Sequence, residues 1–141
     1  MSKIKLREEN LLFWKRLIKN PRTIGALFPS SKSLAKMICR HVDDSGYVLE
    51  LGPGTGRFTR VLIKSGLDLS NFFTIEMDKE LVTFLQKSLP QVKTLHANAT
   101  YLNEILPSEV IGNVSTIISG IHLVSLSYQQ QCNLANACFQ V

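Results

Sequence analysis

Apolar and polar positions follow two rhythms along this chain, and each change of rhythm marks an element. Tyr47-Val48-Leu49-Glu50-Leu51, Phe72-Phe73-Thr74-Ile75, Val92 to Leu95 and Val114 to Ile118 are short, nearly continuous apolar runs, the form taken by strands buried on both faces of a parallel sheet. Between them, apolar residues recur every three or four positions. Phe58, Val61, Leu62 and Ile63 predict a helix ending near Gly66, and Lys79 to Leu89 predicts another, stopped by Pro90. Tyr128 to Phe139 predicts a third, burying Leu134, Cys138 and Ala135. Upstream, Ser30 or Ser31 caps a helix that runs to about Arg40 with Leu34, Ala35 and Ile38 turned inward. Strands that alternate with helices in this way predict an α/β sheet.

The first residues have a different pattern. From about Leu6 to Lys19, at about 100° per residue, Leu11, Phe13, Trp14, Leu17 and Ile18 share one arc. Glu8, Lys15, Arg16 and Lys19 fall opposite, and Leu12 is the misfit. Asn20-Pro21 breaks this amphipathic helix, and Ile24 to Pro29 reads as a loop. The division expected is a basic N-terminal helix over 1–22 and an α/β domain over 23–141.

Composition adds bounds and one asymmetry. At 141 residues the chain is a single domain, and no stretch is apolar enough to cross a bilayer or to serve as a signal peptide, so a cytoplasmic location is expected. The net charge of +5 divides into +8 through Arg40 and −3 beyond it, which marks the N-terminal arm for an anionic partner. With Trp14 beside Lys15 and Arg16, that arm suits either an anionic membrane interface or packing on its own domain. Cys39, Cys132 and Cys138, and the histidines His41, His96 and His122, lack metal-ligand spacing, so no metal site is expected.

The candidate chemistry gathers at the ends of the strands. The first strand runs into Gly52-Pro53-Gly54-Thr55-Gly56, where glycines let the backbone turn sharply and bring its amides to a ligand. The spacing is GxGxG rather than the GxGxxG of dinucleotide sites, and Glu50 precedes it. A carboxylate there repels a pyrophosphate and suits a ligand carrying an ammonium and a sulfonium, which points to S-adenosylmethionine (SAM). Glu76 ends the second strand, where a carboxylate accepts ribose hydroxyls.

At these residues the sequence resembles the class I SAM-dependent methyltransferases, from about Asn20 to the C-terminus. Asn20 to Ala35 and Ile118-Ser119-Gly120-Ile121 resemble the soluble bacterial phospholipid N-methyltransferases, while the ribosomal RNA adenine dimethylases are similar over the glycine loop. The resemblance implies a Rossmann-like sheet of order 3-2-1-4, cut short before a fifth strand. It places Glu50, Gly52, Gly54 and Gly56 at the methionine half of SAM, Glu76 and Met77 at ribose and adenine, Asn98 and Ala99 at the adenine edge, and Ser119 beside the methyl group. Asn98 stands where the family has an aspartate, and its amide oxygen can accept the same adenine proton. The adenine dimethylases carry Asn or Asp, an apolar residue, Pro and an aromatic after the fourth strand, whereas this chain has Ser119-Gly120-Ile121-His122, which argues against a base as substrate. His122 is the candidate proton acceptor. The expectation is therefore methyl transfer from SAM to the amine of phosphatidylethanolamine on the inner membrane face, with the protein held peripherally by Leu11, Trp14, Lys15, Arg16 and Lys19. The alternatives are a nucleic-acid methyltransferase like the ribosomal RNA adenine dimethylases, or a truncated SAM-binding remnant without activity.

Overall fold

The computed structural model describes residues 32–141. The expected helix of 1–22, its break at Asn20-Pro21, the 24–29 loop and the Ser30 or Ser31 cap lie outside the described residues, as do the side chains of Leu34 and Ala35.

In chain order the elements are α1 (Lys32–Cys39), β1 (Tyr47–Leu51), α2 (Arg57–Lys64), β2 (Phe72–Glu76), α3 (Lys79–Ser88), β3 (Lys93–His96), α4 (Leu102–Ile105), β4 (Val114–Ser119) and α5 (Tyr128–Phe139). The four strands pair in parallel in the order β3-β2-β1-β4, as the resemblance to class I methyltransferases implies. Each strand's two faces feed a separate core. Val48 and Phe72 pack with Leu62, Leu85, Leu89 and Val92 from the α2 and α3 side. Leu49, Leu51, Phe73 and Ile75 pack on the other face with Leu102, Leu106, Val110, Leu134 and Ala137. The first two crossovers thus cover one face and the last crossover the other. The strand order reverses between β1 and β4, which opens a crevice at their carboxyl ends.

Two expectations shift in detail. In α5 the buried pair is Leu134 and Ala137, with Cys138 half-buried and Ala135 exposed, because the face toward the sheet follows i, i+3 spacing. The segment after β3, which the sequence pattern left without an element, forms a 3-10 turn (Ala99–Tyr101) continuing into α4, and it buries Leu102, Leu106 and Val110. β4 is an edge strand, with Val114 through Ile118 all half-buried. Among the described residues, no helix is long and apolar enough to cross a membrane.

Candidate functional site

Four strand ends are joined by hydrogen bonds into one rim. Gly52 N–H donates to Ile75 O at 2.8 Å, Gly54 N–H to Glu76 Oε2 at 3.2 Å, Ala97 N–H to Glu76 O at 3.0 Å and Gly120 N–H to Leu51 O at 2.8 Å. Gly52 and Gly54 hold φ values of +66° and +59°, left-handed geometry that side chains disfavour. At the β1/β4 crevice the two backbones nearly touch. A Cβ on Gly120 would lie 2.7 Å from Gly52 O, and one on Gly52 would meet Ile121 Cγ1 at 2.9 Å. Gly56 has a packing reason: its Cβ would meet Leu85 Cδ2 at 2.7 Å, so this glycine lets α2 close on α3.

Glu50 and Glu76 lie on the α2 and α3 side of the sheet, only 2% and 8% exposed. Burial pushes the Glu50 carboxyl up to about 7, opposed by a 2.6 Å hydrogen bond from Thr59 Oγ1 and reinforced by the charge of Glu76. Burial also raises Glu76, against the pull of the Asp78 and Gly54 amides, with Asp78 N–H donating to Oε1 at 2.9 Å. Among the described residues neither carboxylate has a basic partner. The amides of Gly52, Gly54 and Gly56 are all engaged within the rim, the last with Pro53 O at 2.9 Å, so it is the two buried acids that fit a ligand bringing positive charge and hydroxyl donors, as SAM does. Sequence reasoning missed Thr59. Its signal was a hydroxyl on the inward face of α2, one turn before Leu62. Arg60 also went unremarked; its guanidinium donates to Thr55 O at 2.7 Å and Ser88 Oγ at 3.3 Å, bracing the loop against the end of α3.

The other expected residues follow the ends of β2, β3 and β4, some exposed and some buried. Met77 is 68% exposed beside Glu76. His96 ends β3 and its Nε2 lies 3.0 Å from Met77 O. Asn98 Oδ1 accepts from both Thr100 N–H at 3.0 Å and Thr100 Oγ1 at 2.9 Å, so the oxygen expected to receive an adenine proton is occupied as the cap of the following turn. Ala99 is buried in the core beneath that turn. Ser119 is exposed, and its Oγ accepts from Ile121 N–H at 3.2 Å. His122 is half-buried, with Nδ1 enclosed and without a partner among the described residues. Among the described residues no group of His, Cys, Asp or Glu gathers as a metal site.

Comparison with known proteins now bears on this geometry. Residues 19–125 match the family model for ribosomal RNA adenine dimethylase. The chain is 31% identical over 134 residues to ribosomal RNA small subunit methyltransferase A of Parabacteroides distasonis, covering 89% of this chain and 49% of that protein. It is 29% identical over 133 residues to the protein of the same name in Flavobacterium johnsoniae, covering 87% and 50%. The chain thus spans about half the length of these curated relatives. In structure it is similar to a TehB-like SAM-dependent methyltransferase from Corynebacterium glutamicum, with a TM-score of 0.61 and 16% identity over 94% of this chain and 65% of that one, a likeness of fold.

These matches correct the expected acceptor and partner. The expectation of phosphatidylethanolamine as substrate, and of an anionic phospholipid surface held by Leu11, Trp14, Lys15, Arg16 and Lys19, is overturned, because the similarity runs to ribosomal RNA methyltransferases. The inference from Ser119-Gly120-Ile121-His122 against a base rested on one turn, whereas the family match extends from residue 19 to 125. The strand order reversing at β1/β4, two buried acids and that match lead to one assignment: the chain belongs to the ribosomal RNA adenine dimethylase family, whose cofactor is SAM.

Proposed function

We propose that this chain binds SAM at the strand-end rim and takes part in methyl transfer to an adenine amine of ribosomal RNA. The observation that carries this reading is the convergence, in a chain of this family, of the Gly52–Gly56 loop, Glu76 and the Ser119–His122 turn on one crevice. Glu76 has spent one lone pair of each oxygen on Gly54 and Asp78, and the remaining pairs accept the ribose hydroxyls. Gly52 and Gly54 let the methionine half approach the backbone, while Glu50 acts from beneath the loop as a negative charge, and Gly56 keeps the helix behind it close. Met77 covers the adenine face, and Asn98 and Ala99 border its edge.

When bound, SAM supplies an electrophilic methyl group, and such a displacement needs alignment and exclusion of water rather than a protein nucleophile. Ser119 and the 120–122 backbone border the place where the acceptor amine would lie. His122 stands where the amine must shed a proton after alkylation, and an imidazole is suited to take it near neutral pH. The direct test is transfer of labelled methyl from SAM to unmethylated small-subunit ribosomal RNA, followed by nucleoside analysis. Label in N6-methylated adenosine is the expected result. Label absent from adenosine, with SAM binding intact, would sink the proposed acceptor.

A further inference from the structure

A cleft of about 220 Å³ lies outside the rim, between the turn that follows β3 and helix α5, and it is lined by Thr100, Tyr101, Asn133, Asn136, Ala137 and Gln140. Its chemistry is unusual for a surface groove, because the lining contains no charge and three carboxamides. Two of those amides have their oxygens engaged: Asn133 Oδ1 accepts from Gln129 Nε2 at 2.9 Å and Gln140 Oε1 from Asn103 Nδ2 at 2.6 Å. Their NH2 groups, the whole Asn136 amide and the Tyr101 hydroxyl have no partner among the described residues. The Tyr101 side chain is 53% exposed. Thr100 ties the cleft to the rim through both of its bonds to Asn98.

We propose that this cleft is a subsite for a single unpaired RNA base flanking the methylated one, stacked on Tyr101 and hydrogen-bonded through the amides of Asn133, Asn136 and Gln140. Its volume is below the roughly 300–1,000 Å³ of pockets that enclose whole small molecules, which limits the occupant to about one ring system. The absence of charge disfavours a phosphate or an amine. Carboxamides match base edges in bidentate fashion, and single-stranded RNA is read by splaying bases onto aromatic rings. With the oxygens of Asn133 and Gln140 occupied, the cleft offers mainly donors, so the favoured edge is one rich in carbonyls, as in uracil or guanine. The inference rests on the RNA reading of the preceding section.

The test is fluorescence anisotropy of the full chain with a labelled single-stranded oligouridylate and with an RNA duplex, alongside calorimetry with SAM. Tyr101→Ala should weaken the single strand about ten-fold, within the range for loss of one stacked base, and Tyr101→Phe should keep most of the affinity. Asn136→Ala should weaken it about three- to ten-fold. Both variants should leave duplex binding, SAM affinity and the slope of log affinity against log salt unchanged, because no phosphate contact is lost. Variants that bind oligouridylate as the wild type does would overturn the subsite while leaving ribosomal RNA methylation standing. A wild type that binds SAM but no single-stranded RNA would overturn both.

Discussion

The buried Glu50 makes a prediction whose sign depends on pH. Its carboxyl is raised from an ordinary 4.5 to about 7, chiefly by burial. Between those two values the folded chain holds more protons than the unfolded one, so this group's effect is a loss of stability as pH rises from 4.5 through 7. At about 1.36 kcal/mol per pH unit the loss approaches ~3 kcal/mol above pH 7. Glu50→Gln keeps the size and the acceptor for Thr59 Oγ1 but buries an amide NH2 without a partner, which costs about 1–3 kcal/mol at every pH. Wild type should therefore be the more stable protein at pH 5, and the variant should draw level or gain at pH 8. Urea unfolding across that range, followed by far-UV circular dichroism, reads the difference. Glu76, also raised by burial, adds a slope of its own to both curves, and Asp43 and Asp68, lowered from 3.8, titrate below this range, so the difference reads Glu50 together with its coupling to Glu76. Two curves that stay parallel would refute the argument, because the carboxyl would then be ionised throughout. The same variant should weaken SAM at pH 8 and have little effect at pH 5.5, where the wild-type carboxyl is already neutral.

Four further substitutions test the rim, one of them, at Gly66, as a control outside it. Glu76→Ala should weaken SAM by roughly 1–3 kcal/mol through loss of charge-assisted bonds to ribose, read by calorimetry on protein whose melting remains cooperative; unchanged affinity would remove Glu76 from the site. Gly120→Ala should lower stability by about 1–3 kcal/mol because its Cβ meets backbone at Gly52 O. Gly66→Ala, with φ +91° and open space around it, should cost only the left-handed penalty of about 1–2 kcal/mol and leave SAM binding untouched, unlike Gly120→Ala. Asn98→Asp should keep the cap of the 99–101 turn and add lone pairs for the adenine amino group, tightening SAM by about 1 kcal/mol, and a weakened affinity would show that adenine does not lie there.

The fold was legible because its signals are local. Buried parallel strands read as continuous apolar runs, the ends of β1 and β2 fall where Leu51 and Glu76 place them, and α5 covers Tyr128–Phe139 as expected. The 99–106 segment was not legible in the same way. Its helix is four residues long, too short for periodicity, and only the spacing of Leu102, Leu106 and Val110 reveals the buried face. The positions of Glu50 and Glu76 at the strand ends were legible from the strand pattern alone. Their connections were not: that Glu76 holds Gly54 and that Thr59 holds Glu50 are contacts between separate elements, which no one-dimensional pattern encodes.

The acceptor was misread for a related physical reason. A charge of +8 through Arg40 specifies an anionic partner, and the phosphates of a lipid surface and of RNA satisfy it equally well at the level of Coulomb attraction. Amphipathic spacing around Trp14 adds an apolar face, but such a face serves a membrane interface or the protein's own core without distinction. Neither feature carries information about the atom that receives the methyl group. That information lies in the geometry of the crevice between Gly52 and Gly120, where the backbones approach so closely that little side-chain volume is left.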